Sequence, residues 1–212
     1  MNAPRLLDLF CGAGGAAMGY HRAGFDVTGV DISPQPRYPF KFIQADAMTF
    51  PLDGFDLIHA SPPCQLYSTS AQPGRKLAGH PDLLGPVRDR LKASGRPYVI
   101  ENVVGAPMPT AILLCGVTFG LPLVRHRLFE CSHELGLAPS LCPQRSRLRA
   151  TAHPGCYPYG HGNWHANWNH IVRPRVWPWM TADESGQAIP PAYTEWIGAC
   201  FLDIIAMTTE SE

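Results

Sequence analysis

Between Leu135 and Ala182 the chain has no aspartate and no glutamate, although Asp plus Glu and Lys plus Arg balance at 17 each over the 212 residues. A net charge of zero therefore excludes no class of partner, because the charge is unevenly placed. The acid-free stretch carries Arg145, Arg147, Arg149, Arg173 and Arg175. Interleaved with them are Tyr157, Tyr159, Trp164, Trp168, Trp177 and Trp179, and His153, His161, His165 and His170. Arginines pair with phosphates or guanine edges, and aromatic rings stack on unpaired bases. Residues 131–180 thus read as a small basic, aromatic target-recognition segment.

No apolar run reaches membrane-spanning length, which argues against a transmembrane helix. The cysteine count is seven. An odd number with no apolar signal segment argues against a disulfide framework and for a reducing, cytoplasmic setting. Cys131, His133, Cys142, His153 and Cys156 come near the paired spacing of zinc knuckles without meeting it, so no metal is expected. There are no internal repeats and no low-complexity tracts. A chain of this length buries one domain with a small appended lobe, and a monomer is expected.

The most informative residues are Pro62-Pro63-Cys64-Gln65, which follow the apolar run from Phe55 to Ala60. They place a thiol at the carboxyl end of a buried strand, where open α/β sheets bind and react. Two prolines stiffen the turn and so aim the thiol.

Upstream, Leu6 to Phe10 is an apolar strand that runs into Cys11-Gly12-Ala13-Gly14-Gly15. A helix follows, then a second strand ending in Asp31. Strand, glycine turn, helix, strand and terminal carboxylate make the nucleoside-binding half of a doubly wound sheet. The spacing is not the dinucleotide GxGxxG, and no lysine follows to make a phosphate loop. A nucleoside lacking a diphosphate fits better. Asp46, beyond a third strand, is placed to accept from an adenine amino group.

Asp8 to Gly15, Pro63-Cys64-Gln65, Glu101-Asn102-Val103 and Arg125-His126-Arg127-Leu128-Phe129 fall in the order of the DNA (cytosine-5)-methyltransferases, which the chain resembles. Gln187 to Gly198 looks like the closing motif of compact, phage-type members. The resemblance covers roughly residues 5–130 and 180–205.

It implies a Rossmann-like, S-adenosylmethionine-dependent α/β fold with a loop-rich recognition lobe. Residues 1–130 and 181–212 would be the catalytic domain, and 131–180 the recognition segment. DNA would be the partner. It implies that Cys64 adds to carbon 6 of cytosine, that Glu101 acts at N3, and that Arg127, supported by Arg125, holds the carbonyl at carbon 2. The cofactor would lie against Phe10, Cys11, Gly12, Gly14, Gly15, Asp31, Ile32, Asp46, Ala47 and Pro62. Four positions depart from the family. Leu123 stands where glutamine is common, Asp31 where many have glutamate, Ile32 where an aromatic covers the adenine, and Gln187 where asparagine is usual.

Because a related tRNA-acting group shares these motifs, the alternatives are an RNA cytosine-5 methyltransferase and a non-catalytic nucleic-acid-binding homologue. A nucleoside sensor without a nucleic-acid partner is disfavoured by the acid-free segment. Strands are expected near 6–10, 26–30, 41–44, 55–60 and 97–100. Helices are expected near 14–23, 81–94 and 190–206, and a lid over Ser68 to His80.

Overall fold

The computed structural model describes residues 2–67, 81–136, 139 and 172–209. Strands β1 (Arg5–Leu9), β2 (Asp26–Asp31), β3 (Lys41–Gln44), β4 (Leu57–Ala60) and β5 (Tyr98–Asn102) are mutually parallel where they pair. With β6 (Ile112–Leu114) and β7 (Arg127–Cys131) they form one seven-stranded sheet, ordered β3-β2-β1-β4-β5-β7-β6. Only β7 runs against its neighbours.

Side chains alternate across this sheet, so both faces are apolar and both are covered. On one face Leu6, Val27, Leu57, Val99 and Phe129 pack with Ala16, Ala17 and Tyr20 of α1 (Gly15–Ala23). Tyr193, Ile197 and Phe201 from the carboxyl-terminal helix Pro191–Thr209 complete that layer. On the other face Leu7, Leu9, Ile58 and Ile100 meet Leu84, Val87 and Leu91 of α2 (Leu84–Ala93). The expected period of α2 is the one observed.

Among the described residues two short α-helices follow α2, α3 (Arg173–Val176) and α4 (Ala182–Gln187), and the carboxyl-terminal helix is α5 here. α4 begins at a capping box, in which the Thr181 hydroxyl accepts from the Glu184 amide while the Glu184 carboxylate accepts from the Thr181 amide. The closest helix packing is α1 on α5. A side chain at Gly19 would meet the Pro191 carbonyl and the Thr194 hydroxyl, so only glycine permits this approach. The Thr194 hydroxyl donates to the Ala16 carbonyl at 2.8 Å and ties the two helices.

β6, β7 and α4 were not among the expected elements. The expected lid falls outside the described residues, as do Cys142, His153 and Cys156 and the aromatic and arginine positions between 140 and 171. Among the described residues no helix is long and apolar enough to cross a membrane, and no group of metal-ligating side chains occurs.

Candidate active site

β1 lies between β2 and β4, and the chain leaves it in opposite directions on either side. This is the switch point at which open α/β sheets bind ligands beyond their carboxyl edge. The glycine turn after β1 and the proline turn after β4 emerge there side by side, with the Ser61 amide donating to the Leu9 carbonyl at 3.1 Å.

The glycine turn needs unusual backbone. Gly12 and Gly14 have φ of 48° and 84°, and Phe10 is the only described non-glycine residue with positive φ, at 57°. The Gly12 amide donates to Asp31 Oδ2 at 3.0 Å and the Ser33 amide to Oδ1 at 2.9 Å, so the carboxylate holds the turn as well as ending β2. Each oxygen keeps a lone pair for a hydroxyl. Beside it Ile32 is an apolar side chain 70% exposed. Asp46 ends the loop after β3 and accepts from the Met48 amide at 2.8 Å.

Not every expected cofactor contact is placed alike. Cys11 and Ala47 are buried, and Ala47 packs in the core below the edge. Gly15 faces the segment before α5, because a Cβ there would meet the Ile189 carbonyl. Pro62 is buried with its carbonyl accepting from the Asn102 side-chain amide at 3.1 Å.

The proline turn carries Cys64. Because β7 is antiparallel, its first residue rather than its last lies at the carboxyl edge of β5. That places Arg127 against Glu101, with Nε 3.0 Å from Oε1, an ion pair whose angle makes no hydrogen bond. Burial pushes the Glu101 carboxyl above its ordinary range, while Arg127, Arg125 and the Ser61 side chain pull it down. The Cys64 thiol is likewise raised by burial and by Glu101, against the pull of Arg127 and Arg125. The four expected catalytic side chains are therefore close enough to shift one another's charge.

Arg125 is buried, and its guanidinium is the least hydrated cation here. Burial, then Arg127, lowers its pKa to about 9. It donates to the Gly186 carbonyl at 2.7 Å and lies 5.7 Å from the centre of the Trp177 ring. Leu123, standing where the family has glutamine, is buried in the same cluster as Trp177 and does not contribute a polar partner. The support comes from the α4 end and from Trp177 instead. The Tyr193 hydroxyl donates to the Arg125 carbonyl in a short hydrogen bond.

Trp177 corrects one expectation. It is wholly buried with Val172, Val176 and Met180, and its Nε1 donates to the Ile189 carbonyl at 2.9 Å. Such a ring cannot stack on a base. Trp179 donates to the Ala13 carbonyl at 2.8 Å, beside the glycine turn, and Arg173 to the Met180 carbonyl at 2.8 Å. Of the described members of the acid-free stretch, Arg175 alone is an exposed cation. The missed residues are Asn102, Ser61 and His59. The signal for His59 was its polarity inside an otherwise apolar strand.

No protein-family model and no curated protein sequence matches the chain. Solved structures do. DNMT2 from Spodoptera frugiperda, in an alanine-substituted form, is 21% identical over 60% of this chain and 49% of its own, with a TM-score of 0.45. The S. pombe Dnmt2 methyltransferase is 18% identical over 60% and 50%, with a TM-score of 0.43. An RNA methyltransferase from Salinibacter ruber, in complex with S-adenosyl-L-homocysteine, is 13% identical over 65% and 87%, with a TM-score of 0.38. The chain spans about half the length of the two Dnmt2 proteins.

The strand order, with β7 alone antiparallel, is that of a Rossmann-like α/β fold. The glycine turn, the Asp31 carboxylate and the exposed Ile32 fit the nucleoside end of S-adenosylmethionine. The substrate expectation is corrected. With Dnmt2 proteins and an RNA methyltransferase as its structural likenesses, the assignment to phage-type DNA (cytosine-5)-methyltransferases is withdrawn, and with it DNA as partner and a phage origin.

Proposed function

We propose that the chain transfers a methyl group from S-adenosylmethionine to carbon 5 of a cytosine in RNA, with transfer RNA as the substrate class. The observation that carries this is the meeting of Cys64, Glu101, Arg125 and Arg127 at the carboxyl edge beside the glycine turn. RNA is favoured because the tRNA-acting group shares these motifs. A recognition segment as short as 131–180 also suits an already unstacked loop nucleotide, which needs no duplex opening. The five described cysteines are all free, which accords with a reducing, cytoplasmic setting.

Cytosine carbon 5 is a poor nucleophile until a thiolate adds to carbon 6. Cys64 supplies that sulfur after losing its proton, and the bond it forms pushes electron density into the ring amide. Glu101, beside N3, stabilises that density or protonates N3. Arg127 faces the negative charge that gathers at the carbonyl of carbon 2, and buried Arg125 strengthens the local positive field. The bound cofactor supplies an electrophilic methyl group. Loss of the carbon-5 proton to a base then lets Cys64 leave as thiolate, restoring the ring.

Transfer of labelled methyl groups to total tRNA, with duplex DNA in parallel, tests the reading. Label should enter tRNA as 5-methylcytosine and vanish in Cys64→Ser. RNA containing 5-fluorocytosine should be trapped at Cys64, because fluorine is not removed as the proton is. Label in neither nucleic acid, or in DNA alone, would overturn it.

A further inference from the structure

The glycine turn after β1 is gripped by two distant parts of the chain, to neither of which the methyl-transfer reading gives a role. On one side Trp179 Nε1 donates to the Ala13 carbonyl at 2.8 Å. The Ala13 methyl group is buried in one cluster with Val172, Val176, Trp177 and Met180, so its side chain and its carbonyl are both held by this segment. On the other side Tyr38 and Pro39 lie against Gly14. A Cβ there would stand 3.1 Å from Tyr38 Cδ2 and 2.9 Å from Pro39 Cδ.

The two sides are joined to each other. Arg37 Nη1, beside Tyr38 in the chain, is 3.0 Å from Glu184 Oε1, while Glu184 Oε2 accepts from the Thr181 amide at 2.7 Å. An ion pair as exposed as this adds little stability. What it does is close a collar of contacts that begins with Trp179 on Ala13 and ends with Tyr38 on Gly14.

The turn needs such support, because Gly12 and Gly14 both have positive φ and glycine restrains its own backbone least. The Ala13 carbonyl and the Gly14 amide belong to one planar peptide unit. Trp179 holds the oxygen of that unit, and its N–H donates to the Cys11 carbonyl at 3.1 Å. Both polar ends of the plane at the centre of the turn are therefore fixed. A turn held in one shape beforehand loses less freedom when a ligand arrives, and the ligand binds more tightly.

We propose that Trp179 is a positioning residue for the cofactor site, presetting the glycine turn from within the acid-free stretch rather than reading a base. The role rests on the reading of this turn as the seat of S-adenosylmethionine. Arg37, Glu184 and Tyr38 complete the collar from the opposite side.

Calorimetry of S-adenosylhomocysteine binding to the parent and to Trp179→Phe tests this, since phenylalanine keeps a ring and removes the donor. Affinity should fall by on the order of fivefold, the worth of one neutral hydrogen bond, while affinity for tRNA stays within about twofold. Hydrogen exchange read by mass spectrometry, without cofactor, should be faster in the peptide containing Gly12 to Gly15. Saturating S-adenosylhomocysteine should restore the parent rate there. A tryptophan that merely fills space would lower the unfolding midpoint and move neither readout. Arg37→Met, at a half-exposed position outside the core, opens the collar from the other side and should speed exchange in the same peptide. Unchanged affinity in Trp179→Phe, a loss confined to tRNA, or exchange that neither variant moves would overturn the proposal alone. A parent protein that binds no S-adenosylhomocysteine would overturn the methyl-transfer reading, and the proposal with it.

Discussion

The side-chain amide of Asn102 donates to the carbonyl of Pro62 at 3.1 Å, and its own oxygen accepts from the Val103 amide at 2.9 Å. One buried amide thus joins the end of β5 to the turn that carries Cys64. Prolines cannot be held through their amides, so the turn is anchored by a carbonyl. The residue after Glu101 therefore sets the position of the thiol.

Asn102→Ala should lower unfolding free energy by about 1–3 kcal/mol, because the Pro62 carbonyl is left buried without a donor. The catalytic effect should be larger than the stability effect. A shift of about 1 Å in the thiol costs on the order of a hundredfold in rate. Urea unfolding and methyl transfer on the same preparation check both. Unchanged transfer with reduced stability would mean that the turn is held elsewhere.

Glu101→Gln should make Cys64 more reactive to iodoacetamide at neutral pH. Burial is the larger cause of its raised thiol pKa, and the Glu101 charge is the next. Removing that charge leaves Arg127 and Arg125 unopposed, so more thiolate is present and alkylation is faster. Arg127→Met should slow it by the same argument. Alkylation rates measured across pH, with Cys64 read by peptide mass, would be the same in parent and both variants if the thiol were insulated from both groups.

Much of this site was legible in the sequence because strands, turns and their residues are local features. The glycine turn, the proline turn and the end of β5 each announce themselves within a few residues, and the parallel order follows from alternation of strand and helix. β7 was not legible as a strand. Its run from Arg127 to Cys131 is short, holds Glu130 paired with Arg88, and is stabilised by partners on both sides rather than by its own pattern. Trp177 misled for a related reason. Composition shows a ring among arginines, but only the packing shows that the ring is buried and lies over Arg125.

Asp31→Ala should weaken binding of S-adenosylhomocysteine by on the order of tenfold or more, through two separate losses. A ribose acceptor disappears, and the Gly12 and Ser33 amides lose the carboxylate that orders the turn. Asp31→Asn keeps one acceptor oxygen and should fall between. Calorimetry of the three proteins distinguishes these, and equal affinities would move the ribose site away from β2.

Asp8→Asn should change how stability depends on pH, whatever it does to stability at one pH. Asp8 is 1% exposed, and its Oδ1 has no partner, while Oδ2 accepts from the Tyr38 hydroxyl at 3.4 Å. Burial is the chief cause that raises its pKa from 3.8 to about 8, helped by the charge of Asp31 and opposed by Tyr38. Between those two values the folded chain keeps a proton that the unfolded chain has released. Stability from this group is therefore complete below the unfolded pKa and is lost as pH rises through the folded one. The buried neutral His59 acts in the other sense, since its folded pKa of about 3 lies below 6.5 and the unfolded chain gains a proton as pH falls. Comparing Asp8→Asn with the parent cancels His59 and every other group the two share. The difference should move in favour of the variant by on the order of 3 kcal/mol between about pH 5 and about pH 8. Urea unfolding at several pH values gives the two curves directly. Parallel curves would mean that Asp8 is ionised in the folded protein and that its charge is met by a group other than Tyr38.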